Sequence, residues 1–316
     1  MLEPDPQPAP PGPLRIQLDR VRERFAPTVS ARAALTAHRE VQLFLSDRHD
    51  LVLATAGLGE DDILRTGLPD AAQARAAASA APAGPVFSYW SAPDGHVPPL
   101  VRACLDRLRA LHPDAVVLTP ASVPDWVTLP GAVVDRLRER PAHYADFLRL
   151  SLLERHGGVW VDATCLLLRS IDEGLAEAGP QPGPSLLMPR WTDREISNWF
   201  IAATPGHPLV RLLRAALELW WTEIGTLPDY FLFHRMFAGL LAEYPQAGLL
   251  WAGTPWLGSA PAHLLQMVMF RPYDSDLVAA ASRLSFAQKL SHKFDADTVP
   301  PDSLLARLLA GRLFEG

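Results

Sequence analysis

The sequence predicts an α/β protein: a sheet of short strands and crossover helices, with a helical segment ahead of it. Three observations predict this. After residue 84, short β-prone runs bounded by Gly and Pro alternate with helical patterns. Before residue 84 the apolar spacing is helical. The chain has 316 residues, 48% hydrophobic and 20% charged, which is ample apolar content for a core.

Taken in order, residues 1–13 read as a disordered Pro-rich tail. From Leu14 to about Asp50, Leu18, Val21, Phe25, Leu35, Val41 and Phe44 recur at helical spacing with charges between them. Ala71 to Ala83 reads as a short helix or a linker, so a boundary near Gly84 divides residues 1–84 from a domain over 85–316. Val86–Trp90 is the first strand. Pro98–Leu111 follows as a helix, with two prolines near its start and Val101, Leu105, Leu108 and Leu111 on one face. Ala115–Leu118 is the second strand. Pro141–His156 reads as an amphipathic helix, and Gly157-Gly158 supplies a left-handed cap. Val159–Val161 is the third strand and ends at Asp162. Further strands are expected at Ser185–Met188 and Trp199–Ala203, and further helices at His207–Trp221 and Pro228–Glu243. The uncharged stretch Leu249–Phe270 holds Pro255, Pro261, His263 and Gln266, so it reads as buried loop and strand and not as a membrane span.

Composition excludes several classes. The formal net charge is −6, which argues against a nucleic-acid binder that works by phosphate neutralisation. Cys104 and Cys165 make no disulfide framework, and the acidic, Pro-rich N-terminus lacks a signal-peptide pattern; a reducing, cytoplasmic setting is expected. Cys165 reads as buried packing. There is no G-x-G-x-x-G, Walker lysine, H-E-x-x-H or C-x-x-C motif.

The informative stretch runs from His143 to Thr164. Asp146 lies about 15 Å back along the helix from His156. Gly158 to Asp162 covers about 13 Å of strand in the opposite direction. The Gly-Gly turn reverses the chain, so Asp146, Arg149 and Asp162 finish at a similar height, at the C-terminal end of a strand. Ligands bind there in open α/β sheets. The competing reading is an i,i+3 surface ion pair between Asp146 and Arg149, with Asp162 capping a loop.

Ala145-Asp146-x-x-Arg149 followed by Gly157-Gly158-Val-Trp-Val-Asp162-Ala-Thr164 resembles the capsular polysaccharide synthesis family. It also resembles the wider group of retaining GT-A glycosyltransferases with a DXD-containing sugar-binding region. Asn198-Trp-Phe-Ile-Ala-Ala-x-Pro205-Gly-His-Pro208 is similar to that group's N-x-F-I-A-x-x-P-G-H-P run, and Asp229-Tyr-Phe-Leu-Phe-His234 to the capsular branch. The resemblance spans Val86 to Phe294. It implies a GT-A-like, Rossmann-type nucleotide-sugar-binding sheet. It implies transfer of a sugar from a nucleotide-activated donor, a UDP-sugar above all, to a glycan or small-molecule acceptor, with retention. Asp146 and Arg149 would then bind donor-sugar hydroxyls, and Asp162 the ribose, the sugar or a metal-bound diphosphate.

Thr164 stands where the full motif has its second Asp, the usual direct metal ligand. A divalent cation, Mn²⁺ or Mg²⁺, is therefore a weakened expectation, although one carboxylate with phosphates and waters can hold Mg²⁺. The Asp-Ala-Thr form is usual for the capsular branch. The other way to stabilise a leaving diphosphate is a cationic donor. Only two of the 29 basic residues are lysine, Lys289 and Lys293, and they fall four residues apart. A point-charge ammonium suits a phosphate, and the capsular family carries a similar H-K-L-x-x-K segment, with Gln288 here in place of its His. A solvated basic turn is the bland alternative. His292 is a candidate metal ligand or phosphate contact, or a plain polar residue.

Smaller signals complete the set. Tyr89 and Trp90 end the first strand, where a base would stack, although strand-end aromatics are more often core. Asn198 would face the donor sugar or simply hold a turn. Asp229 would contact the sugar or orient the acceptor hydroxyl, or else stabilise a helix start. A second functional reading comes from Thr164: a non-catalytic nucleotide-sugar or glycan-binding protein with a degenerate DXD motif. The mixed Arg and Glu faces of the N-terminal helices suit protein contact better than lipid.

Overall fold

A computed structural model describes residues 13–25, 32–67, 84–92, 95–178 and 185–314. Most of the Pro-rich tail and the Ala-rich run 71–83 lie outside the described residues. The fold is mixed α/β.

The main sheet has five strands: β1 (Val86–Tyr89), β2 (Val116–Leu118), β3 (Gly158–Val161), β5 (Leu186–Leu187) and β7 (Phe200–Ala203), in the order β2-β1-β3-β7-β5. β2, β1 and β3 are parallel, while β7 runs antiparallel to β3 and to β5, which makes the sheet mixed. β3 and β7 are buried at every residue. That is why these runs show no alternation in the sequence: helices cover both faces. Two small pairs flank the sheet. β4 (Cys165–Leu167) pairs antiparallel with β9 (Ala287–Lys289), and β6 (Pro189–Arg190) pairs parallel with β8 (Leu257–Gly258).

Three helices of the N-terminal segment, α1 (Pro13–Phe25), α2 (Arg32–Asp47) and α3 (His49–Ala56), are joined by α4 (Glu60–Gly67). One face of the sheet carries α6 (Gly131–Leu137), α7 (Pro141–His156), α9 (Pro208–Leu219) and α10 (Leu232–Glu243), and the other carries α5 (Pro99–Leu111) and α8 (Ile171–Glu177). Val41, Phe44, Leu45, Val52 and Ile63 from α2–α4 share one core with Phe147, Trp160, Trp220 and Phe237. Gly239 permits the approach of α2 to α10, since a Cβ there would lie 2.7 Å from Leu45 Cδ1. On the opposite face, Leu105, Leu108 and Ile171 pack with Val159, Val161 and Phe200.

The turn between α7 and β3 fixes the site. Gly157 has φ 64° and Gly158 φ 87°. A Cβ on Gly158 would lie 2.2 Å from the Pro85 carbonyl oxygen, and one on Gly157 2.5 Å from Pro205 Cδ. Both positions therefore need glycine for backbone direction and for space. The geometry corrects the expected left-handed cap: Gly157 pairs its positive φ with an extended ψ of −153°. A second correction concerns α7 itself. It is not amphipathic, because nine of its residues from His143 to Leu153 are buried. It lies between the sheet and neighbouring helices, so only its ends meet water.

Other boundaries differ for visible reasons. The helix expected from Pro228 begins at Leu232, after a turn held by Asp229. The helix expected over His207–Trp221 ends as α9 at Leu219 and passes into a π-turn, Trp220–Ile224, stopped by Gly225 at φ 70°. Leu249–Phe270 is more helical than expected: Pro255 and Pro261 cut it into short pieces, with α11 (Pro245–Ala252) before and α12 (Leu264–Val268) after. Among the described residues no helix is long and apolar enough to cross a membrane.

Candidate functional site

Asp162 leaves the C-terminal end of β3, its backbone N–H donating to the Trp199 carbonyl at 2.8 Å. Its side chain is 21% exposed. Oδ1 accepts from Arg149 Nη2 at 3.2 Å and from Trp160 Nε1 at 2.8 Å. Oδ2 accepts from Lys289 Nζ at 2.6 Å. Burial pushes this carboxyl's pKa up, but the charges of Lys289 and Arg149 and the hydrogen bonds from Lys289 and Trp160 outweigh it and hold it down at about 2. Trp160 reaches Asp162 because residues i and i+2 of a strand share a face.

Arg149 is the hub. Its guanidinium is 4% exposed, and its fork donates to the Ala145 carbonyl at 3.2 Å, the Asn198 carbonyl at 2.6 Å and Asp162. It also pairs with Asp146 at 3.2 Å and lies over the Trp160 ring at 5.0 Å. Asp146 accepts from Asn198 Nδ2 at 2.7 Å and faces His143 Nδ1 at 3.5 Å. The predicted meeting of Asp146, Arg149 and Asp162 is therefore present, and Asn198 joins it.

Lys289 arrives from the far end of the chain. The β4–β9 pairing sets Lys289 opposite Cys165. Its ammonium donates to Asp162 and, at 2.8 Å, to Thr164 Oγ1. Burial lowers its pKa, and the charge and hydrogen bond of Asp162, with Cys165, together more than reverse this. Thr164 is 8% exposed. Neighbouring Gln288 is fully buried, its amide tied to Leu265 N–H at 3.0 Å and to the Pro261 carbonyl at 3.0 Å.

The remaining candidates sit around this network. Tyr89 ends β1 with its ring 5.6 Å from that of Tyr144. Trp90 meets His292 edge to face at 5.0 Å. Burial, with the charges of Lys293 and Lys289, keeps His292 below its ordinary pKa. Lys293 is exposed. Asp229 is engaged elsewhere: its Oδ1 accepts from Phe231 N–H at 2.9 Å and its Oδ2 from Arg235 Nε at 2.5 Å. Tyr230, 62% exposed, feels the charges of Asp146, Lys289, Asp162 and Arg149 and stands at the solvent side of the network. His143 and Trp160 were not expected as site residues. The i,i+3 spacing of His143 to Asp146 and the i,i+2 spacing of Trp160 to Asp162 were the available signals.

Among the described residues, no group of three His, Cys, Asp or Glu side chains is placed to hold a metal ion. A separate open groove of about 550 Å³ lies between α5 and the C-terminal residues, lined in part by Arg102, Arg107, Leu308 and Phe314. It is remote in character from the charged network: Arg107 stacks on Phe314 there at 4.1 Å.

Residues 70–308 match the capsular polysaccharide synthesis protein family. The chain belongs to that family. This capsular polysaccharide synthesis family member is also 37% identical over 81 residues to a probable glycosyltransferase, FCK3, of Fusarium pseudograminearum (strain CS3096). The aligned stretch covers 25% of this chain and 21% of that relative, so the chain spans only a small part of the relative it matches. No solved structure matches this family member. The segments that carry the site, from β1 to β9, all fall inside the matched range.

Proposed function

We propose that the protein is a glycosyltransferase that moves a sugar from a nucleotide-sugar donor, a UDP-sugar first, to a glycan or small-molecule acceptor with retention. The observation that carries the reading is the convergence of Asp146, Arg149 and Asp162 at the C-terminal end of β3. Membership of the capsular family and the short likeness to a probable glycosyltransferase support it. On this reading residues 85–316 form a GT-A-like domain, with Asp162-Ala-Thr164 as its DXD equivalent and residues 1–84 as a helical addition.

Asp146 and Asn198, held by Arg149, offer acceptors and donors to sugar hydroxyls. Tyr89 and Trp90 lie at the end of β1, on the side where a base would stack. The buried ion pairs hold these groups before substrate arrives, so little reorganisation is needed. Thr164 in place of a second carboxylate favours one alternative, a binding protein without turnover.

The test is to incubate the protein with a panel of nucleoside-diphosphate sugars and follow free sugar and free nucleotide. Donor hydrolysis or transfer that disappears in Asp162→Asn supports the transferase. Donor binding with no turnover across acceptors selects the binding protein. No binding of any nucleotide sugar sinks both.

A further inference from the structure

We propose that Lys289 is the resident cation of this site: its ammonium, seated between Asp162 and Thr164, receives the donor's diphosphate in place of a divalent metal. The inference rests on the transferase reading above and deepens it.

The donor set does not fit a divalent cation. Both Asp162 oxygens are already committed, Oδ1 to Arg149 and Trp160 and Oδ2 to Lys289. A metal at Oδ2 would have to displace an ammonium 2.6 Å away. Thr164 adds a neutral hydroxyl, and that hydroxyl lies 2.8 Å from the same ammonium. His292, the other candidate ligand, packs its ring perpendicular to that of Trp90.

The same contacts fit an ammonium acting on a phosphate. Lysine has three N–H donors. Asp162 and Thr164 take two, which leaves one for a ligand. A second carboxylate at position 164 would make the network net negative and repel an anion, whereas threonine positions the ammonium without adding charge. The network then counts two carboxylates, Asp146 and Asp162, against two cations, Arg149 and Lys289. Lys293 follows four residues on, and its charge and that of Lys289 both act on His292 between them.

Lys289 is also held in place as a metal would be. β9 is locked to β4 with Lys289 opposite Cys165, and the Leu290 N–H donates to the Thr164 carbonyl at 3.0 Å. Charge stabilisation is effective when the donor is fixed before reaction.

In the transfer step, the bond from the sugar's anomeric carbon to the β-phosphate oxygen breaks, and its electron pair stays on that oxygen. The acceptor hydroxyl oxygen forms the new bond to the anomeric carbon, and its proton passes to the departing phosphate. Lys289 donates a hydrogen bond to the charge that builds there and remains protonated throughout.

Calorimetric binding of UDP, GDP, CDP and ADP, each against its nucleoside, tests this in EDTA and in Mn²⁺ or Mg²⁺. The expected result is a diphosphate that binds in EDTA within about twofold of its affinity with metal. Lys289→Met should weaken that diphosphate roughly 10- to 100-fold while leaving the nucleoside unchanged, and Lys289→Arg should restore part of the loss. Circular dichroism and nucleoside binding confirm that the variants are folded. Diphosphate binding that vanishes in EDTA and returns with metal overturns the inference and leaves the transferase reading standing. So does equal diphosphate binding by wild type and Lys289→Met. Failure of every nucleotide in both conditions overturns the transferase reading and this inference with it.

Discussion

The Asn198 side-chain amide donates to Asp146 Oδ1 at 2.7 Å, tying the loop before β7 to the first half of α7, 52 residues earlier in the chain. The Asn198 carbonyl accepts from Arg149 at 2.6 Å, so one residue satisfies both members of an ion pair. Asn198 is thus a clamp as well as a candidate sugar contact.

Substitution separates these roles by size. Asn198→Ala should cost about 1–2 kcal/mol of unfolding free energy, the scale for leaving a buried carboxylate oxygen short of one donor. Asn198→Asp should cost more, because it sets two carboxylates against each other and raises the pKa of one of them. Chemical denaturation at pH 7 and pH 5 reads this. The Asp variant should recover stability at the lower pH, and an Asp variant as stable as wild type at pH 7 would overturn the assigned orientation of the amide.

Asp162 makes a separate prediction with a defined pH window. Its folded pKa, about 2, lies below its ordinary value of 3.8. A depressed carboxylate stabilises the fold above its ordinary pKa and loses that contribution as pH falls through the folded value. Between about pH 4 and pH 2 the wild type should therefore lose stability more steeply than Asp162→Asn, which has no charge to lose. Donor turnover in that variant should fall about 100-fold or more at neutral pH, the scale of losing a preorganised charge at a reacting centre.

Much of this site was legible in the sequence because it is local. Asp146, Arg149 and Asp162 lie on a helix and a strand joined by a two-glycine turn, so helix rise and strand rise alone bring them to one height. The partners that come from afar were harder to read. Lys289 was singled out by its rarity, but its seat on Asp162 depends on a three-residue strand, Ala287–Lys289, with no alternation to mark it. The burial of α7 is hidden for the opposite reason. Helical spacing shows a polar stripe at Asp146 and Arg149, but these residues face the interior because they satisfy each other there. Asp229 shows a third limit, since its engagement by Arg235 follows from a turn whose geometry the sequence does not announce.

The two-glycine turn should be the least tolerant part of the site. Gly158→Ala places a Cβ 2.2 Å from the Pro85 carbonyl oxygen at a φ of 87°. Neither backbone can yield without breaking the parallel pairing of β1 with β3, which aligns Val86 with Val159 and Phe87 with Trp160. The expected loss is about 3 kcal/mol or more, combining strain with overpacking. Gly206→Ala is the control. Its φ is 68°, but a Cβ there meets nothing within 4 Å, so only the backbone term remains. A melting-temperature difference between the two variants reads the steric part directly, and equal losses would show that the close approach of residues 84–85 to the turn does not matter.

His49 makes the last prediction, far from the site. Its Nδ1 lies 3.0 Å from Glu243 and its Nε2 2.7 Å from Glu60, so one imidazole bridges α10 to α4. Gln42 donates to the second Glu243 oxygen at 3.2 Å, and the Tyr244 hydroxyl donates to the His49 carbonyl at 2.8 Å. Burial pulls the His49 pKa down, but the two carboxylates together raise it above the ordinary 6.5. Only the imidazolium donates from both nitrogens, so the bridge is complete when His49 is charged. A raised folded pKa stabilises fully below the unfolded value and loses its effect as pH climbs through the folded one. Wild-type stability should therefore decline above about pH 6.5 by up to about 1 kcal/mol, the scale of partly exposed ion pairs. His49→Gln keeps one hydrogen bond and has no charge to lose, so its unfolding free energy should be flat over that window. Hydrogen exchange should locate the wild-type change in α3 and α4, because those helices are joined to α10 through this ring. A decline of the same size in the glutamine variant would assign the pH dependence to another group.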